Sequence, residues 1–149
     1  MAELHIASFD ELDPGVLYEI LRLRSDVFVV EQECAYQDID GRDREPGTRH
    51  AWLTTADGGV VAYLRVLAEP DGTARIGRVC VARGARGAGH AGLLLDAALR
   101  EIGGREAGLD AQTYATRLYT NAGFVVDGPE FDEDGIPHVP MRRPGGQGA

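Results

Sequence analysis

The chain is poor in cysteine, in cations and in long apolar runs, and each shortage excludes a class of protein. With only Cys34 and Cys80 there is no disulfide scaffold, and Cys80 falls inside a run that reads as a buried strand, which points to a reducing compartment. No apolar run approaches the roughly 20 residues that cross a bilayer, and no basic n-region with an apolar core follows Met1. Membrane and secretion are therefore not indicated, and the cytoplasm is the expected location. Fifteen basic residues against 24 acidic ones give a formal net charge of −9. The arginines are dispersed, so no basic stripe offsets a field that repels nucleic acid. Length is short too: 149 residues, 44% of them hydrophobic, bury one core and not two. A single domain over residues 1–143 is expected, and the glycine-rich tail from Pro144, with nothing to bury, is expected to be disordered.

What the chain has in plenty is glycine, concentrated where it matters. Ile76, Val79 and Val81 mark a strand, after which Gly84, Gly87, Gly89 and Gly92 alternate with small alanines. From Ala91 to Ile102 the apolar residues Leu94, Leu95, Ala98 and Ile102 recur at helical spacing. The glycine loop thus sits at a helix N-terminus, where unpaired N–H groups and the macrodipole favour an anion, with Arg83 and Arg86 adding charge. A phosphorylated cofactor is the first expectation. Gly87-x-Gly89-x-x-Gly92 also satisfies a dinucleotide fingerprint, with Asp110 near the distance of a ribose acid. Five residues, Ala82 to Arg86, separate Val81 from Gly87, however, and that spacing does not suit the fingerprint.

Arg86-x-x-Gly89-x-Ala91 after the Val79-Cys80-Val81 strand resembles motif A of the GCN5-related N-acetyltransferases. Gln112-x-x-Ala115-x-x-Leu118-Tyr119-x-Asn121-x-Gly123-Phe124 resembles motif B, with Gln112 where the family commonly has Asn. The stretches Val27 to Gln32, Tyr36 to Gly41 and Glu133 to His138 are similar to the bacterial ElaA-like branch, so the resemblance covers all but the tail. It implies an α/β acyl-CoA N-acyltransferase (GNAT) fold: a mixed, mostly antiparallel sheet with a central splayed parallel strand pair and flanking helices. It also implies acetyl-CoA as cofactor, its pyrophosphate on the amides of Arg86, Gly87, Ala88, Gly89, His90, Ala91 and Gly92. The pantetheine arm would lie along Val79, Cys80 and Val81 and beside Gln112. The acceptor would be an amine on a small molecule or a peptide; a homodimer is left open.

In chain order, Leu4 to Phe9 reads as a strand, and Asp13-Pro14 caps a helix that ends near Val29. Arg24 interrupts its apolar stripe and reads as a snorkelling side chain at the core's edge. The polar stretch Glu31 to His50 is longer than ordinary connections, and by resemblance Glu31, Gln32, Tyr36, Asp38 and Asp40 become acceptor-site candidates. His50 to Thr54, Val60 to Leu67 and Arg75 to Val81 form an antiparallel meander through turns at Asp57-Gly58-Gly59 and Glu69 to Gly72. Leu109 to Gln112, reached by a crossover, must lie parallel to Arg75 to Val81. Phe124 to Val126 and Val139 to Met141 complete the sheet as a pair, with an acidic connection and His138 at the mouth of the last strand.

Moving an acetyl group from a thioester to an amine needs a neutral amine, a stabilised oxyanion and a proton for the thiolate. The N–H of Val79 or Val81 suits the oxyanion, and Tyr119 the proton, because a phenol stays protonated at neutral pH. Cys80 reads as packing. Glu31, Asp40, His50 and His138 are the base candidates, with Glu31 the one assigned a catalytic role. Rival readings are an acyl-CoA sensor without transfer, an autoinducer-synthase-like enzyme, to which Arg24 and Val27-Phe28 are faintly similar, and a nucleotide-dependent oxidoreductase.

Overall fold

The computed structural model describes residues 2–146. Among these, eight strands make one sheet: β1 (Glu3–Ala7), β2 (Arg49–Thr54), β3 (Val60–Ala68), β4 (Ala74–Val81), β5 (Ala107–Gln112), β6 (Val125–Val126), β7 (Phe131–Glu133) and β8 (Ile136–Arg143). Their spatial order is β1-β2-β3-β4-β5-β8-β6, with β7 on β8 as a short hairpin. All neighbours are antiparallel except β4 and β5. The meander and the antiparallel closing pair follow the apolar alternation. β7 was not expected, because the charges in Phe131-Asp132-Glu133 hide a strand whose two acidic residues stay exposed.

α1 (Pro14–Arg24) starts where Asp13 Oδ2 accepts the N–H groups of Gly15 and Val16 at 3.0 and 3.3 Å, a cap worth about 1 kcal/mol. Beyond Arg24 the coil widens to π geometry over Ser25–Glu31, Gln32 N–H reaching Val27 O at 3.1 Å, so the helical path ends at Glu31 rather than near Val29. α2 (His90–Ile102) crosses the opposite face and buries Leu94, Leu95, Ala97, Ala98 and Ile102, each large side chain contributing about 1.5–3 kcal/mol. The core is accordingly double. Leu64, Val66, Ile76, Leu109 and Met141 pack under α2, whereas Ile20, Leu23 and Val27 of the first helix cover Trp52, Tyr63 and Cys80.

Arg24 does not snorkel. It is 1% exposed, and its guanidinium donates from Nε to Asp38 Oδ2 (3.0 Å), from Nη1 to Asp43 Oδ1 (2.9 Å) and from Nη2 to Asp38 O (2.8 Å). Arg65 of β3 donates to Asp40 (2.9 and 2.7 Å) and Asp43 (3.0 Å), and Arg78 of β4 reaches Asp38 O at 3.0 Å. Asp38, Asp40 and Asp43 come from the long stretch after α1, so charge pairing, buried at Asp38 and Asp43, anchors that stretch in place of an apolar core. Gly146 N–H donates to Gly104 O at 2.8 Å; residues 147–149 of the tail expected to be disordered lie outside the described residues.

Candidate active site

β4 and β5 pair only at Ala74↔Ala107 and Arg75↔Gly108, after which they separate. A β-bulge drives the parting: the β3–β4 register slips between Tyr63↔Cys80 and Arg65↔Gly77, and Arg78 takes a φ of +52° that an L residue rarely adopts. Beyond the fork β5 pairs only with β8 on its far side, Gln112 lying opposite His138. Arg75 Nη2 donates to Asp110 Oδ2 at 2.5 Å across the point of division. The gap opens into a cavity of about 560 Å³, a volume within the range of small-molecule sites.

Backbone alternation decides what β4 offers to that cavity. Ala82 N–H donates to Val61 O at 2.8 Å, toward β3, so the peptide groups of Val81 and Val79 turn to the open side. Arg86 Nε–H reaches Val81 O from that side at 3.0 Å. The Cys80 side chain points the other way into the α1-side core, where burial pushes its thiol pKa up and makes it a poor nucleophile. Gly87 and Gly89 hold φ of +86° and +81°, and a Cβ on either would meet no protein atom within 4 Å. Their conformation requires glycine, and the space above them is open. Arg86 to Gly89 are exposed, leading into His90 at the first turn of α2, with Ala91 in the cavity wall and Gly92 packed toward Leu118.

On the far wall, Gln112 ends β5, and α3 (Thr116–Thr120) brings Leu118 and Tyr119 to the cavity. The Gly123-Phe124 pair has a plain structural use there. Gly123 turns the chain at φ +97°, Phe124 N–H closes on Tyr119 O at 3.0 Å, and the two rings meet edge-on at 6.1 Å. Burial raises the Tyr119 hydroxyl to about 12, so it is neutral at any physiological pH.

The acceptor candidates divide. Glu31, Gln32 and Tyr36 line the cavity; Asp38 and Asp40 do not, because Arg24 and Arg78 hold the buried Asp38 and Arg65 the more exposed Asp40. Hydrogen bonding from Arg65 depresses Asp40 far below the usual carboxylate range. His50 is also enclosed, its Nδ1 2.6 Å from Tyr63 Oη and its Nε2 3.0 Å from Asp43 O, and burial lowers its pKa. Glu31 lines the cavity in a forked ion pair with Arg86, 2.6 Å to Nη1 and 2.7 Å to Nη2, which lowers its pKa. His138 lines the cavity with its Nδ1 2.7 Å from Ile136 O; a carbonyl accepts only, so Nδ1 carries hydrogen and Nε2 of the neutral ring has a lone pair. Sequence reasoning missed Arg65, Arg78 and Cys34 as wall residues. An arginine inside the α1 stripe followed by three spaced aspartates was the available signal for the first two; nothing marked Cys34.

A sheet forked at its centre, with a glycine loop leading from the fork to a helix N-terminus, defines the acyl-CoA N-acyltransferase fold. The model of the acetyltransferase (GNAT) domain matches residues 22–144. A UPF0039 protein of Mycobacterium tuberculosis is 54% identical over 138 residues, covering 91% of this chain and 88% of its own. The crystal structure of Escherichia coli ElaA superposes with a TM-score of 0.90 at 36% identity over 96% of this chain and 99% of its own. That of an acyl-CoA N-acyltransferase from Pseudomonas aeruginosa gives 0.88 at 36% identity over the same shares. The chain belongs to the GNAT family and to its ElaA-like branch.

Proposed function

We propose that the protein transfers the acetyl group of acetyl-CoA directly to an amine on a small molecule or a peptide. The observation that carries this reading is the fork: β4 loses its strand partner beyond Arg75 and leaves the N–H groups of Val79 and Val81 facing a cavity, Val81 O being held by Arg86. Unpaired backbone groups are costly unless a ligand completes them, and an amide-bearing pantetheine arm has the required donors and acceptors. The open glycine loop at the start of α2 suits a diphosphate. Gln112, at the end of β5, supplies a side-chain amide where the arm would pass.

In this reading a strand amide of Val79 or Val81 holds the oxyanion, already oriented before reaction. Tyr119 donates a hydrogen bond to the leaving sulfur. A phenol raised to about 12 is a weaker acid than a thiol near 8.5, so it shares its proton with the developing thiolate more readily than it surrenders it. Taking the amine's proton falls to His138 Nε2 rather than Glu31, because a neutral imidazole is a stronger base than a carboxylate whether or not Arg86 holds the latter. A cytoplasmic setting fits the two free thiols.

The test is release of free CoA thiol by the purified protein over a panel of amines and peptides. The chain contains no lysine, so it brings no ε-amine of its own to the assay. Acetyl-CoA binding with thiol release for some acceptors supports the reading. Tight CoA binding with no release across the panel points instead to a sensor, and NADH binding in preference to CoA removes the reading.

A further inference from the structure

Arg86 is the side chain of the glycine loop best placed for a diphosphate, yet both of its terminal nitrogens are engaged. Nη1 and Nη2 grip Glu31 Oε2 and Oε1 at 2.6 and 2.7 Å, and Nε is tied to Val81 O. Arg83 stands 3.8 Å from the same carboxylate. Glu31 is the last residue of the helical path that begins at Pro14, so the pair spans the mouth of the cavity from the acceptor-side helix to the phosphate loop. A carboxylate at the edge of a phosphate cradle otherwise weakens the cradle, since like charges repel there. The two-pronged geometry fills the planar fork with which a guanidinium recognises one oxyanion, and a diphosphate requires that same fork.

We infer that Glu31 is an internal stand-in for the cofactor's diphosphate: CoA and the Glu31 carboxylate compete for Arg86, and cofactor binding moves the guanidinium from one anion to the other. Glu31 is then a positioning residue and not the base. Its carboxylate, released at the cavity wall beside Gln32 and Phe28, becomes available to an ammonium acceptor only after the cofactor is seated. This inference rests on the CoA reading given above.

The test is calorimetric binding of CoA, and of pantetheine, which lacks the diphosphate, to wild type, Glu31→Gln, Arg86→Gln and the double variant. Glu31 is a surface residue, and these substitutions leave both cores intact. Removing an exposed ion-pair competitor of up to about 1 kcal/mol predicts CoA binding about two- to fivefold tighter in Glu31→Gln. Pantetheine affinity should not change, and the gain should vanish in the Arg86→Gln background. Merely structural damage does not tighten binding. Unchanged or weaker CoA binding in Glu31→Gln overturns the exchange while leaving the acetyltransferase reading intact. So does an equal gain with and without Arg86, which would mark a general field effect. Failure of wild type to bind CoA at all overturns both.

Discussion

Tyr119 and Glu31 are the two residues whose surroundings differ most from what their letters suggest. Tyr119 sits 6% exposed against Phe124, and burial pushes its hydroxyl pKa up to about 12. Tyr119→Phe is expected to lower turnover by about a hundredfold, the low end for a proton donor, with acetyl-CoA affinity nearly unchanged. Because burial pushes that hydroxyl up, an alkaline fall in rate near pH 9 belongs to another group and persists in the variant. Steady-state rates with a working acceptor measure both, and full turnover in Tyr119→Phe removes the hydroxyl from the mechanism. Arg24 was misread from sequence for a definite reason. A long cation in an apolar stripe is usually satisfied by water at its tip, and only the fold brings Asp38 and Asp43 to that tip. Replacing Arg24 by Met removes one of two cations from each buried carboxylate, leaving Asp43 with Arg65 and Asp38 with Arg78. A loss of up to about 3 kcal/mol is expected in urea unfolding, the low end of the cost of breaking a buried pair from one side, because each carboxylate keeps a second arginine.

At the scale of elements, the glycine loop and α2 were legible because their signals are local. Positive φ needs glycine, a helix stripe needs its period, and neither depends on distant chain. Gly89 at φ +81° caps α2 where the cradle opens. Gly89→Glu puts a strained backbone and a negative charge there, and CoA binding by calorimetry should be lost while the circular dichroism spectrum keeps its helical content. Unchanged affinity would remove the cradle. The fork was legible only as a possibility, from a crossover that forces β4 and β5 parallel. The device that opens it, the bulge at Arg78, leaves only a faint local mark, the glycine at Gly77 inside an otherwise continuous strand run. The π-widened end of α1 was hidden likewise, since an apolar stripe specifies a face and not the pitch of the coil. β7 escaped because a strand with exposed acids has no alternation to detect.

At the scale of the whole molecule, the aspartates that fasten the long stretch to the sheet make stability depend on acid. Hydrogen bonding from Arg65 depresses Asp40; Asp43, although burial opposes it, is also lowered by Arg24 and Arg65. A carboxyl held below its unfolded value of about 3.9 stabilises the fold fully above that pH, and the contribution fades as pH falls toward the folded value. Denaturation midpoints should therefore be flat with respect to these two groups above about pH 5 and drop steeply below about pH 4. The Arg24→Met variant should show a shallower drop, and equal slopes in the two proteins would discount the network. The same architecture predicts where ligand acts. Amides of Val79 and Val81 should exchange with deuterium readily in the free protein and become protected with CoA, while those of β2 stay protected throughout. No change at Val79 and Val81 would separate the ligand from the fork.

An unpaired strand edge is ordinarily a hazard, because any other chain can dock on it and seed aggregation. Here the bare edge runs through the middle of the sheet, roofed by α2 on one face and by the first helix and its charged strap on the other. Another strand would have to enter between those two layers to dock on it, a narrower approach than the outer edge of a sheet offers. The fold thus keeps an adhesive ladder in service without inviting its own kind to stick.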